Sequence, residues 1–330
     1  MDDVTAIKVR DLVKVFKVAH KRPGLAGSLR AIVRTEHVDV RAVDGVTFSV
    51  EEGETVAFIG PNGAGKSTTI KMLTGILYPT SGEATVTGMT PWKQRQRLSR
   101  SIGCVFGQRS QLWYHLPPRD TFELLAHVYE LPVSQWKPRL TTLADRFELR
   151  AFMDTPVRKL SLGQRMRCEI AASLLHAPRV LFLDEPTVGL DVMAKRAIRD
   201  LVLEMNREEG VTVLLTSHDV GDIEQVCRRV MVINHGHLVL DTTVAALRRD
   251  FMKSKTVRVR LDSPVEGILN IPGVEVLKRK RGNLKLLVNT ATTSMDDVLA
   301  HLMQLGTIED ITIADPSTEQ IIAEIYASGR

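Results

Sequence analysis

The chain has 330 residues, 44% hydrophobic and 25% charged, an ordinary composition for a globular protein and a length that allows more than one domain. Its 44 Lys and Arg against 39 Asp and Glu give a formal charge of +5, which permits contact with anionic lipid or nucleotide without demanding either. The 3 cysteines (Cys104, Cys168, Cys227) have no Cys-x-x-Cys spacing and point to a reducing cytoplasm rather than a disulfide framework or zinc site, while no run approaches the roughly 18 apolar residues of a membrane span and the acidic start Met1-Asp2-Asp3 is unlike a signal peptide.

In chain order, strand-like alternation at Ile7 to Leu12 and again at Val43 to Val50 brackets a basic stretch from about His20 to Val40, which reads as an insertion into one sheet. Within it Leu25, Leu29, Ile32 and Val33 take helical spacing, with Lys21, Arg22, Arg30 and Arg34 nearby. A basic amphipathic helix can lie against a membrane surface or a partner helix; a solvated excursion between two strands is the alternative. The apolar run Val56 to Ile59 stops at Gly60 and Pro61, and Ser67 to Leu77 then takes helical spacing. Thr121 to Arg150 reads as mostly helical, punctuated by Pro132 and Pro138. Val180 to Leu183 and Val211 to Leu215 are apolar without alternation, which suits a parallel sheet covered on both faces. The expected core is a parallel α/β sheet carrying a helical subdomain.

From about Phe251 the pattern changes. Thr256 to Leu261, Gly273 to Leu277, Asn283 to Val288 and Ile308 to Ile313 are strand-like, Ser294 to Leu305 is helical, and Pro316 and Ser317 open a last helix with Gln320 completing a capping box. This is a separate α+β module of about 75 residues, dividing the chain at 248/249. The basic turn Lys278 to Arg281, before Gly282 and Asn283, can touch lipid or RNA, but charge runs usually face water and a solvated hairpin turn is expected.

Gly60-Pro61-Asn62-Gly63-Ala64-Gly65-Lys66-Ser67-Thr68 matches the Walker A pattern between a predicted strand and helix, the context in which such a loop cradles phosphate. The glycines let backbone N–H groups turn toward the anion, the helix end adds its positive dipole, Lys66 supplies a point charge to the β- and γ-phosphates, and Ser67 ligates magnesium. Val180 to Leu183 then delivers Asp184 and Glu185 to a strand's carboxyl end, where open parallel sheets bind ligands. Asp184 can hold the magnesium shell and Glu185 can polarise the attacking water as general base.

Leu160-Ser161-Leu162-Gly163-Gln164-Arg165, shortly before the acidic strand, resembles the ABC signature motif, with Leu162 where the commonest form has glycine. The resemblance covers about residues 4 to 245. It implies a P-loop ABC ATPase core with an antiparallel β subdomain and a helical subdomain, followed here by the small α+β domain. It also implies ATP and Mg2+ as cofactors, and a homodimer or heterodimer in which Ser161, Gly163 and Gln164 meet the nucleotide held by the opposite subunit. Pro186-Thr187-Val188-Gly189-Leu190-Asp191 is similar to the D-loop, with Asp191 at the interface, and His218 resembles the switch histidine that hydrogen-bonds the γ-phosphate. Gln108 resembles the Q-loop glutamine at the metal and water site, with Gln111 as the alternative register. Phe16 resembles the aromatic that stacks on adenine, with a core phenylalanine as the alternative.

Trp113, Tyr114, His115 and Leu116 follow the Q-loop, where the family receives a permease's coupling helix. The implied partner is an integral membrane permease, with the chain peripheral on the cytoplasmic face of the cell membrane and no nucleic acid expected. The C-terminal module and the insertion are similar to accessory features of exporter ATPases, so export is expected over import. A translation-type ABC protein would carry two ATPase halves, and a DNA-repair type would carry a long coiled coil or zinc-bearing cysteines.

Overall fold

The computed structural model describes residues 5–20, 36–107, 110–217, 219–251, 254–262, 271–280 and 282–314. The chain divides into two compact units, Met1–Thr242 and Thr243–Arg330, so the helix Val244–Phe251 falls in the second unit, ahead of the boundary expected at 248.

The first unit is built on two sheets. A six-stranded sheet has the order β5-β6-β7-β3-β8-β9, formed by β3 (Thr55–Ile59), β5 (Ile102–Phe106), β6 (Val180–Asp184), β7 (Thr212–Thr216), β8 (Arg229–Asn234) and β9 (His237–Thr243). The pairings β5–β6, β6–β7, β7–β3 and β3–β8 are parallel. β3 and β7 are buried along their whole length, as their unbroken apolar runs require in a sheet covered on both faces. The second sheet is antiparallel, in the order β2-β1-β4, from β1 (Thr5–His20), β2 (Glu36–Glu51) and β4 (Ser81–Val86). Alternating Ile7, Val9, Val46, Phe48 and Val50 from this sheet bury against Phe58, Phe182, Leu214 and the helix residues Ile70 and Leu73. Each such fully buried side chain contributes about 1.5–3 kcal/mol.

β1 and β2 run well past the short strands expected from alternation. After register shifts between Thr5 and Val15 they pair continuously from Val15 opposite Arg41 to His20 opposite Glu36, so both flanks of the insertion are ladder; residues 21–35, which carry its amphipathic pattern, lie outside the described residues. The helical subdomain contains Pro118–Val128 and Val133–Arg146. Pro132 caps the second helix, whereas Pro138, expected to punctuate, sits inside it without ending it. Buried Trp136, Leu143 and Ala144 hold that helix by packing, and packing outweighs the hydrogen bond Pro cannot donate.

The second unit is a four-stranded antiparallel sheet, β11-β12-β10-β13, with β10 Ser254–Leu261, β11 Val274–Lys280, β12 Asn283–Asn289 and β13 Ile308–Ala314. Val298 and Leu302 of the helix Met295–Leu305 bury against Val257, Val259, Leu284, Leu286 and Val288. Ser294 caps this helix by accepting from the Asp297 N–H at 3.1 Å. The capping box expected at Ser317 and Gln320 lies outside the described residues.

Candidate functional site

β3 leaves the core at Ile59 and the chain turns sharply. At Gly60 any Cβ would collide with the Ile233 carbonyl oxygen, and at Gly65 with that of Ala42. Gly63 and Gly65 have φ of +82° and +110°, left-handed geometry that L side chains rarely adopt. The helix Lys66–Leu73 begins at this point without a side-chain cap, so its first amide donors and positive end remain available to an anion. Lys66 is buried, and its Nζ donates to the carbonyl oxygens of Gly60 at 2.5 Å and Pro61 at 3.2 Å. Burial pulls its ammonium below the usual lysine range, against the opposing pull of the Glu185 and Asp184 charges.

Those charges arrive on β6. The Ser67 hydroxyl donates to Asp184 Oδ1 at 3.4 Å, and the Thr216 hydroxyl at the end of β7 donates to the same oxygen at 2.6 Å. Glu185 follows with φ of +56°, unusual for a residue with a side chain; its N–H is fixed by the Thr216 hydroxyl and carbonyl oxygens, each at 3.1 Å. Parallel register sets Phe106, Asp184 and Thr216 side by side at the ends of β5, β6 and β7. The chain reaches Gln108 and His218 two residues beyond that row, and both lie outside the described residues.

Behind the row lies a carboxylate that the sequence reading missed. Asp222 is 1% exposed and accepts from the Thr187 hydroxyl, from the Ser217 hydroxyl at 2.5 Å and from Arg199 Nε at 2.6 Å. Arg199 Nη2 also reaches Asp219 at 2.9 Å, and Lys195 reaches it at 2.5 Å. Gly221 makes room for this pair, since a Cβ there would lie 2.7 Å from the Arg199 guanidinium. The residues on both sides of position 218 are therefore pinned to the D-loop segment and its helix. No local pattern announces an Asp and an Arg at this separation.

Ser161 caps the helix Leu162–Leu174, accepting from the Gln164 N–H at 3.2 Å while Gln164 Oε1 accepts from the Ser161 N–H at 2.9 Å. In this reciprocal box the Gln164 side-chain oxygen holds the Ser161 N–H. Leu162 is 43% exposed and lies over Gly189, where a Cβ would stand 3.1 Å from it, so leucine is accommodated by the D-loop glycine. Asp191 caps the helix Val192–Glu209, accepting from the Ala194 N–H at 2.9 Å. Phe16 is half-buried on β1, with Lys14 Nζ 5.2 Å from its ring centroid and Val40 as its cross-strand partner. The Gln111 side chain donates to the Glu169 carbonyl oxygen at 2.8 Å, on the signature helix.

Residues 43–188 match the ABC transporter family, and residues 243–325 match the C-terminal domain of DrrA1-3-like ATP-binding proteins. The ABC transporter ATP-binding protein NatA of Bacillus subtilis is 32% identical over 200 residues, 61% of this chain and 81% of that protein. The daunorubicin resistance ATP-binding protein DrrA3 of Streptomyces coeruleorubidus is 30% identical over 302 residues, 88% of this chain and 93% of that protein. Among solved structures, the post-hydrolysis dimer of the ATP-binding cassette MJ0796 bound to ADP and phosphate matches with a TM-score of 0.60 at 25% identity, covering 72% of this chain and 98% of that one. Relatives matched over 81% and 93% of their own length therefore make this chain a member of the ABC transporter ATP-binding proteins, ATPases whose hydrolysis of ATP drives transport.

Proposed function

We propose that this chain is the ATPase of an exporter, held at the cytoplasmic face of the cell membrane by a separate integral permease. Two such subunits, identical or merely similar, close head to tail around two ATP molecules. The observation that carries the reading is the meeting of Ser67, Asp184 and Glu185 beside Lys66 at one end of the parallel sheet. Ser67 Oγ and Asp184 Oδ1 are hard oxygen donors near enough to share one magnesium ion, with Gln108 as a third ligand, and bound magnesium supplies charge neutralisation on the phosphates.

The remaining work falls to the chain's own groups. Backbone N–H groups of Asn62 through Thr68, Gly63, Ala64 and Gly65 among them, cradle the phosphates while Gly60 and Pro61 shape the entry to the loop, and Lys66 holds the β and γ oxygens once its Nζ leaves the loop carbonyls. Phe16 stacks on adenine. Glu185, its backbone held by Thr216, takes the proton of the attacking water, and His218 donates to the γ-phosphate. Ser161 and Gly163 offer the start of their helix to ATP on the opposite subunit, with Gln164 bracing Ser161 and Asp191 at the dimer contact. The engagement of Gln111 with Glu169 supports Gln108 as the Q-loop residue.

A permease partner is supported by Trp113 and Tyr114, which are 45% and 53% exposed. The Tyr114 and Leu116 carbonyl oxygens accept from Arg158 and Val157 N–H, each at 3.0 Å, on the turn leading to Ser161, so a push on the aromatic pair reaches the signature. Export is supported by the DrrA-like C-terminal match and by the resistance role printed in the name of DrrA3. The stretch 20–40 is a candidate membrane contact. Glu185→Gln tests the reading: it should bind Mg-ATP like the parent, hydrolyse it at least about 100-fold more slowly, and accumulate an ATP-bound dimer by light scattering that adding Ser161→Arg abolishes. Parental hydrolysis would remove Glu185 as the base, and equal dimerisation of both variants would remove the trans contact.

A further inference from the structure

The sheet of the second unit has two unlike faces. One is apolar and closed by the helix Met295–Leu305. Strand alternation sends the intervening residues to the other side, where cross-strand register aligns cations. Lys278 stands opposite Lys285, and Lys285 stands opposite Arg258, so Lys278, Lys285 and Arg258 form one row across three adjacent strands. The next row sets Lys280 beside Asn283 and Arg260. Arg258, Lys278 and Lys280 are exposed and Lys285 is half-buried.

These cations have little to balance them. Arg260 pairs with Glu309 at 3.0 Å, but among the described residues no carboxylate pairs with Arg258, Lys278, Lys280 or Lys285. The carboxylates sharing the face, Glu275 and Asp310, stand in other rows from the Lys278–Lys285–Arg258 line. Like charges directly opposite on neighbouring strands, about 4.8 Å apart, destabilise a sheet. The expected solvated turn would let lysines splay apart, yet Lys278 and Lys280 belong to β11 and are fixed by its ladder. The arrangement is thus matched to an external anion with closely spaced charges.

Two anionic polymers or surfaces fit that charge, and the composition of the face separates them. Binding of unpaired bases uses aromatic platforms, and among the described residues of this face none is aromatic. An anionic leaflet needs only surface cations, and the exporter reading, on which this choice of source rests, puts the chain beside one. We propose that the cation-bearing face of the C-terminal sheet, centred on Lys278, Lys285 and Arg258, docks on the anionic phospholipid headgroups of the membrane.

The test uses the full chain and permease-free vesicles. The parent should sediment with phosphatidylcholine vesicles containing phosphatidylglycerol and not with phosphatidylcholine alone. Lys278→Gln, Lys285→Gln, Arg258→Gln together should weaken that binding at least about 10-fold, whereas the charge-matched set Lys93→Gln, Arg97→Gln, Lys137→Gln, exposed on the first unit, should leave it within about twofold. Hydrolysis of ATP should stay at the parental rate in both sets, which reports folding and keeps this proposal separable from the catalytic one. Should the triple variant fold poorly, the edge-strand pair Lys278→Gln, Lys280→Gln gives the same reading with a several-fold loss. The proposal is overturned by equal sedimentation of parent and face variant, by equal losses in both sets, or by a parent that binds single-stranded RNA and no vesicle.

Discussion

The Gln111 side-chain amide donates to the backbone carbonyl of Glu169 at 2.8 Å, while the Glu169 carboxylate accepts from the Ser110 hydroxyl and from the Gln111 N–H at 3.1 Å. The segment after β5 is thereby fastened to the middle of the signature helix. Ser110 and Gln111 are in this way joined to the helix that Ser161 caps.

Glu169 is buried, and burial raises its carboxyl above the usual range despite the hydrogen bonds from Ser110, Gln111 and Leu112 that lower it. An acid raised in the fold binds its proton more tightly there, so stability is present below the unfolded pKa of about 4.3 and declines as pH rises toward the raised folded value. Glu169→Gln keeps one acceptor oxygen for the Gln111 N–H, places an NH2 that can donate to the Ser110 hydroxyl oxygen and removes the charge, so in urea titrations near pH 8 it should be at least as stable as the parent. Glu169→Ala removes the acceptor of the Gln111 backbone N–H and of the Ser110 hydroxyl and should cost about 1–3 kcal/mol. Equal destabilisation by both would show that the contact with Ser110 and Gln111 contributes nothing.

Arg199 is the cation for a carboxylate with almost no access to water. Arg199→Met should destabilise by about 3–5 kcal/mol, because it strands the Asp222 charge. Adding Asp222→Asn should recover part of that loss, since no charge is then left buried. Steady-state ATPase assays should show both variants slowed, as the shared anchor of Thr187 and Ser217 beside Asp184 and Glu185 is disturbed. A double variant costing the full sum of the two singles would remove the ion pair from the account.

Asp219 supplies a pH dependence. Burial pushes its carboxyl up, but the hydrogen bond and charge of Lys195, the Gly221 N–H and Arg199 together outweigh it and hold the group below the ordinary range. Its stabilising contribution is complete above the unfolded pKa of about 3.9 and is lost as pH falls through the lower folded value. Lys195→Met should therefore be less stable than the parent at neutral pH, with the gap closing as acid unfolding curves are taken below about pH 4. A gap that stays constant down to complete protonation would assign the effect to lost packing.

The sequence by itself determined the phosphate loop, the acidic strand and the signature segment, because each is contiguous and its demands are local. Gly63 and Gly65 must be glycine for a backbone reason, Ser161 caps the helix it precedes, and Val180 to Leu183 is apolar because both faces of its sheet are covered. Tertiary structure alone decided the rest. Ser67 meets Asp184 across 117 residues, and Arg199 finds Asp222 only because their helices lie together. Lys278, Lys285 and Arg258 are scattered in the sequence, and strand register lines them up. A contact between distant residues depends on how the chain returns to itself, and local composition carries no record of that return.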